Sequence, residues 1–165
     1  YLVNPYFYAE SLTEKCFGDS SDYGSINQNL YLGCQFNSSS TYLGETVKKA
    51  TFNLRTNNNS TDADIFAYII DSSFTTKATS NESVNNQSLN QATTGTVFTE
   101  CKFTFSGYTL ADGDVICIKA PITYLQSGQD PTGGSTTTEG LIEGNGTTWD
   151  PVTESIPYFC FSYVD

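Results

Sequence analysis

Two aspartate pairs stand where the chain should turn: Asp62 and Asp64 after an asparagine run, and Asp112 and Asp114 on either side of Gly113. Hard divalent cations take oxygen ligands from carboxylates, amides and carbonyls, so a structural calcium ion is the cofactor these residues could hold. No EF-hand loop is present, and either site would be assembled from separate loops. Aspartates that cap turn amides without metal are the simpler use of the same residues. The sequence contains no histidine, which removes Ser/His and Cys/His nucleophile pairs and any mixed Cys/His metal site. Glu100, faced by Glu139 or Glu143, has the residue type for a two-carboxylate glycosidase. A single tryptophan is a poor supply of aromatic platforms for a catalytic sugar cleft, and no catalytic residue is assigned.

Recognition without catalysis needs less. Tyr42, Tyr124 and Trp149, with Tyr23, lie beside loops where an exposed ring could stack on a sugar; the plainer use of Trp149 is to plug one end of a core. Five cysteines cannot all pair within one chain. Cys16 and Cys34 flank a Gly/Ser/Asp-rich stretch and are the expected disulfide. Cys101, Cys117 and Cys160 sit in apolar strand patterns, where a cysteine is ordinarily a small core side chain. Sequons occur at Asn37, Asn58, Asn59, Asn81, Asn86 and Asn145 in polar stretches that read as surface loops, the places where an exported protein carries glycans.

These residues must be held by strands. Ala50, Phe52 and Leu54 fall on one side of an alternating run and Lys49, Thr51, Asn53 and Arg55 on the other; strict alternation adds Lys48 to the first side. Ala63 to Ile69, Val97 to Phe105 and Val115 to Lys119 repeat the period of two that marks half-buried strands. Further strands are predicted at Ile26 to Phe36 and Tyr158 to Val164. Val47 to Thr56 should form a hairpin with Ala63 to Asp71, and Val97 to Phe105 should pair with Asp114 to Lys119. Lys15 to Ser25, Ser72 to Thr96 and Thr123 to Gly140 read as loops. The aromatic opening Tyr1 to Ala9 contains Pro5, which suits an edge strand. No segment carries a 3.6-residue stripe. The fold class is all-β: a two-sheet antiparallel β-sandwich of about eight strands.

At 165 residues one domain suffices. A formal charge of -11 opposes phosphate backbones, so nucleic acid is excluded as a partner. No apolar run is long enough to span a membrane as a helix. The chain begins at Tyr1 and has no methionine, as a processed mature protein or a segment of a longer one would.

The succession "INQNLYLGCQF", "VKKATFNLRT", "ADIFAYIID", "KATSNES" and "FTECKFTFSGYTLADGDVICIKAP", closing with "WDPVTESIPYFCFSYV", resembles a carbohydrate-binding-like jelly-roll module of phage and virion fibre proteins and prokaryotic surface proteins. Val47, Phe52, Leu54, Asp71, Ala78 to Ser80, Phe103, Phe105, Leu110, Gly113 and Asp114 occupy the places of that pattern, from about Ile26 onward. The pattern's usual Pro-Thr-Gly turn is replaced by "NNNSTDAD", and the first 25 residues have no counterpart. The resemblance implies one jelly-roll domain over residues 1–165, with residues 1–25 as an N-terminal strand and loop extension. It further implies a non-enzymatic structural or adhesive subunit on the outside of a cell or virion, forming homo-oligomers or filaments. Tyr1, Leu2, Val3, Tyr6, Phe7 and Tyr8 would then supply an assembly strand for a neighbour's sheet edge. The alternative is a glycan-binding module of a larger secreted protein or glycoside hydrolase, with surface glycans as partners.

Overall fold

A strand with one apolar face must lay that face against a second layer, and the computed structural model shows how these strands solve the problem. The structure describes residues 10–17, 22–26, 28–57, 61–91, 97–122, 125–130, 139–151 and 156–164. Where the alternation predicts about eight strands, the described residues form fifteen strand segments. They are β1 (Thr13–Phe17), β2 (Asp22–Ile26), β3 (Tyr31–Phe36), β4 (Thr46–Thr56), β5 (Asp64–Ile65), β6 (Ala67–Ile70), β7 (Thr76–Thr79) and β8 (Val84–Asn85). After a short 3-10 turn at Asn86–Ser88 come β9 (Thr99–Thr109), β10 (Val115–Lys119), β11 (Leu125–Asp130), β12 (Glu139–Gly144), β13 (Trp149–Pro151), β14 (Ile156–Pro157) and β15 (Phe159–Val164). No helix among the described residues is long and apolar enough to cross a membrane.

Two large antiparallel sheets face each other. One has β4 at its centre, with β9 along one side and β15 followed by β11 along the other; β1 lies outside β15, and β2 and β14 pair with β11. The second runs β13-β12-β3-β10-β6-β7. Between them lie Phe36, Phe52, Phe103, Phe159 and Phe161, all at most 1% exposed, with Leu54, Ile65, Ile69, Ile116, Ile118 and Leu125.

Both predicted hairpins are overturned. β4 pairs with β9, β11 and β15, whereas β6 lies in the opposite sheet beside β10 and β7; β9 and β10 are likewise in different sheets. Each of these strands offers one apolar face, and that face can be buried across the sandwich as well as beside a sequence neighbour. The stretch predicted as a loop at Lys15 to Ser25 carries most of β1 and β2, and β11 runs through the loop predicted at Thr123 to Gly140.

Lys48 shows where strict alternation fails. Ladder partners run from Val47 directly to Lys49 on both sides of β4, so Lys48 is the extra residue of a β-bulge. The bulge restores Val47 to the core, fully buried with Ala50 and Phe52, and leaves the Lys48 ammonium 3.3 Å from Glu10. Gly107, at φ +114°, lets β9 follow that bend.

Asp114 acts within the fold. It is 2% exposed, its Oδ2 accepts the Ala111 N–H at 2.8 Å, and Tyr108 donates its phenolic hydrogen to it. Burial and this bond push the Tyr108 phenol up to about 12. Asp114→Ala is expected to lower stability by about 1–3 kcal/mol, the cost of leaving buried partners unbonded. Denaturant unfolding of that variant beside Asp112→Ala, whose side chain is exposed and should change little, checks the assignment.

Candidate functional site

Two places stand out by chemistry: the paired terminal strands, and the outer side of the six-stranded sheet.

β1 and β15 run antiparallel with Cys16 directly opposite Cys160, and these two form the disulfide, 144 residues apart in sequence. This corrects the expected Cys16–Cys34 pairing. Along "LGCQF", Leu32, Cys34 and Phe36 share the inward face, so Cys34 is buried against the core and remains a thiol. In "FCFS" the two phenylalanines point inward and turn Cys160 to the opposite face, toward β1. Around the bond, Lys49 reaches across β15 to Glu14 at 3.4 Å, and Phe17 stacks on Phe159 and Phe161 at 6.2 and 6.3 Å. Among the described residues β1 is the last strand on its side of the sheet, its residues exposed apart from Phe17.

The second place is the outer face of the other sheet. β10 is buried on both sides: Ile116 and Ile118 join the central core, while Val115 and Cys117 join Ile70 and Ile142 in a separate cluster. Tyr31, Tyr68, Phe74 and Trp149 cover that cluster, each partly exposed. Phe74 stacks on Trp149 with ring centres 4.3 Å apart, and Tyr31 meets both rings at 5.8 and 5.9 Å. Gly144 makes room, because a Cβ there would lie 2.6 Å from the indole and 2.9 Å from the Phe74 ring. The Lys119 ammonium stands over Tyr31 at 5.2 Å. Burial, then Tyr31 and Cys117, push the Tyr68 phenol upward.

Phe74 is held there at φ +61°, an uncommon conformation for a bulky residue. Asp71 fixes the turn: its Oδ1 accepts the N–H groups of Ser73 and Thr75 at 2.9 Å each, and Lys77 lies 2.9 Å from its Oδ2. These bonds, the Lys77 contact foremost, hold the Asp71 carboxyl below its ordinary range. The Trp149 Nε1–H is buried and has no hydrogen-bond partner among the described residues.

Among the described residues the aspartates form no group of three ligand atoms. Asp62 and Asp64 both accept from Asn85 Nδ2, at 2.6 and 3.3 Å, while Asp114 turns inward and Asp112 stays exposed. Among the described residues only Glu14, Cys16 and Cys160 bring three ligand atoms together, and the two sulfurs are bonded to each other. Tyr42 is a packing residue, edge-on to Phe36 and Phe161 at 6.3 and 5.2 Å, and Tyr124 lies outside the described residues. The assembly residues Tyr1 to Tyr8 lie outside them too, as do Asn58 and Asn59.

Asn81 and Asn145 are exposed and Asn37 is partly so. Asn86 is fully buried: its Oδ1 accepts the Ala63 N–H at 2.7 Å and its Nδ2 donates to the Thr61 carbonyl at 2.8 Å. That amide nitrogen has no room for a sugar, which corrects the expectation for this sequon. Peptide mass spectrometry of native material should find Asn86 bare even where Asn81 or Asn145 is modified.

All seven cationic side chains are engaged. Lys48, Lys49, Lys77 and Lys102 lie within 3.4 Å of carboxylates, and Lys15, Arg55 and Lys119 stand over aromatic rings. Arg55 is 3% exposed and also donates from Nε to Gln126 at 2.7 Å.

On β12 and β13, Glu143 lies directly opposite Asp150. Burial, and then the Asp150 charge, raise the Glu143 carboxyl above its ordinary range. A carboxyl raised in the folded state binds protons more readily there than in the unfolded chain, so its contribution is greatest in acid and is lost as pH rises through the raised value. Glu143→Gln should therefore stabilise the protein at neutral pH by up to about 1 kcal/mol and change little below the ordinary carboxylate range. Thermal melts at both pH values test this; an equal shift at both would be wrong for a titrating group.

No family model matches this sequence, and searches of the curated proteins and of the solved structures return no significant match.

Proposed function

We propose that this chain is a non-enzymatic structural and adhesive β-sandwich. In this reading it is a subunit of an extracellular surface fibre, or a fibre or decoration module of a virion, and it assembles through strand-edge contacts. The observation that carries the reading is the Cys16–Cys160 bond. Disulfides form and persist in oxidising surroundings outside the cytosol. This one also fixes β1, the outermost strand of its sheet among the described residues, and an edge strand is a template for a strand of another chain.

The motif residues support a jelly-roll connection of the sheets, since Val47, Phe52, Leu54, Phe103 and Phe105 are all core and Asp114 caps a turn. An acidic surface whose few cations are already engaged repels phosphate backbones, so nucleic acid is no partner in this reading. Electron microscopy of native material, with light scattering before and after deletion of Tyr1 to Ala9, tests it. Filaments or regular oligomers that are lost on deletion are expected; a monomer at every concentration would refute assembly.

The aromatic outer face favours a second reading as a glycan-binding module, in which Trp149, Phe74 and Tyr31 supply apolar contact. A monomer retained on a polysaccharide column, with a change in tryptophan fluorescence on elution with free sugar, would favour it over the first.

A further inference from the structure

We propose that the Cys16–Cys160 bond is a mechanical stop, which limits how far the molecule lengthens when pulled by its two chain ends. The geometry follows from register. β1 and β15 are antiparallel, with Thr13 opposite Tyr163, Glu14 opposite Ser162, Lys15 opposite Phe161 and Cys16 opposite Cys160. The chain therefore enters β1 and leaves β15 at the same end of the pair. Tension applied to the two ends loads these rungs one after another, as in opening a zipper, rather than shearing them together.

Backbone hydrogen bonds opened singly resist weakly, because each contributes only about 0.5–1.5 kcal/mol net. On its other edge β15 is paired to β4, with Phe161 opposite Ala50 and Ser162 opposite Lys49, so the same rungs open on both sides of the strand; without the disulfide, peeling would continue to Phe159 and the end of β15. With it, peeling ends after three rungs at a covalent bond. From there the force passes from residue 16 to residue 160 through sulfur, and the 144-residue separation between them carries no tension. The core aromatics Phe36, Phe52, Phe103 and Phe159 lie inside that shielded ring, and Phe161, one residue outside it, leaves the core as the third rung opens. Lys49–Glu14 spans the same rungs and adds only a contact that tension can break.

This inference concerns the isolated molecule and does not depend on the assembly reading. It predicts lengths that single-molecule force spectroscopy can read. With handles on the two chain ends, opening these rungs should lengthen the oxidised protein by about 20 Å, six residues at roughly 3.5 Å each. The variant carrying Cys16→Ser and Cys160→Ser should release on the order of 500 Å.

Should that variant fail to fold, the wild-type protein gives an independent answer with one handle at the N-terminus and the other on the exposed Asp112 turn. The closed ring then limits extension to its shorter arc, residues 112–160, which is about 170 Å. An open chain would give the longer arc, residues 16–112, about 340 Å. Extensions near 20 Å from the ends and 170 Å from the Asp112 handle are the expected result. Release of more than about 100 Å from the ends of the oxidised protein, or 340 Å from the Asp112 handle, would overturn the proposal. So would a resistance to lengthening at the Asp112 handle equal to that at the ends, since the fold and not the bond would then set the limit.

Discussion

Replacing Cys16 and Cys160 together by serine is expected to lower the melting temperature by on the order of 10 °C. Cross-linking residues 144 apart removes conformations from the unfolded chain, a constraint that chain-entropy reasoning sets near 5 kcal/mol for a ring of that size. In a domain of this length each kcal/mol moves the melting point by about 2–4 °C. The estimate is an upper one, because structure retained in the unfolded chain reduces the gain. Melting the oxidised protein and the double variant at the same pH checks it. A variant that melts with the wild type would mean that the packing of Phe17 against Phe159 and Phe161 holds β1 unaided.

Phe161→Ala should cost about 3–5 kcal/mol, the range for removing a fully buried phenylalanine ring. Phe161 has no exposed surface and stands where both sheets and β1 meet. Its ring meets Phe36 at 5.3 Å, Tyr42 at 5.2 Å, Tyr163 at 5.4 Å and Phe159 at 5.9 Å. Rings in such edge-on, tilted and stacked pairs attract beyond their buried area, and a cavity bordered by other rigid rings collapses poorly. Val97→Ala is the control: that side chain is 62% exposed, and its truncation should stay within about 0.5 kcal/mol. Denaturant unfolding that failed to separate the two variants would remove Phe161 from the centre of the core.

The sequence revealed faces more readily than neighbours. A period of two predicted which side chains of "ATFNL" and "CKFTF" join the hydrophobic core, because the apolar face of a strand is a local property, although Thr51 on the opposite face is buried as well. Pairing is not local, and that is why β4 and β6 read as a hairpin although they belong to opposite sheets. β11 escaped notice because "LQSGQD" is polar: Ser127 and Gln126 are buried by neighbouring strands rather than by their own hydrophobicity.

The disulfide was within reach of the same period. Cys34 shares parity with Leu32 and Phe36, whereas Cys160 opposes that of Phe159 and Phe161, so alternation alone separates the core thiol from the outward one. Trp149 could be singled out by its rarity, but its companions could not. Phe74 comes to it through a left-handed turn built by Asp71, and Tyr31 through β12 pairing with β3, neither of which leaves a periodic trace.

The placement of sulfur also bears on chemical endurance. Peroxides and hypohalous acids injure proteins chiefly at methionine and at cysteine in its thiolate form. Methionine is absent here, and the single solvent-facing cysteine, Cys16, is already oxidised in its bond to Cys160. The other three cysteines are buried; burial pushes the Cys101 thiol up to about 12 and moves Cys117 the same way, so neither offers an appreciable thiolate population. Bleaching chemistry that inactivates many proteins through sulfur would find little to attack in this one, a form of durability separate from the depth of its folding well.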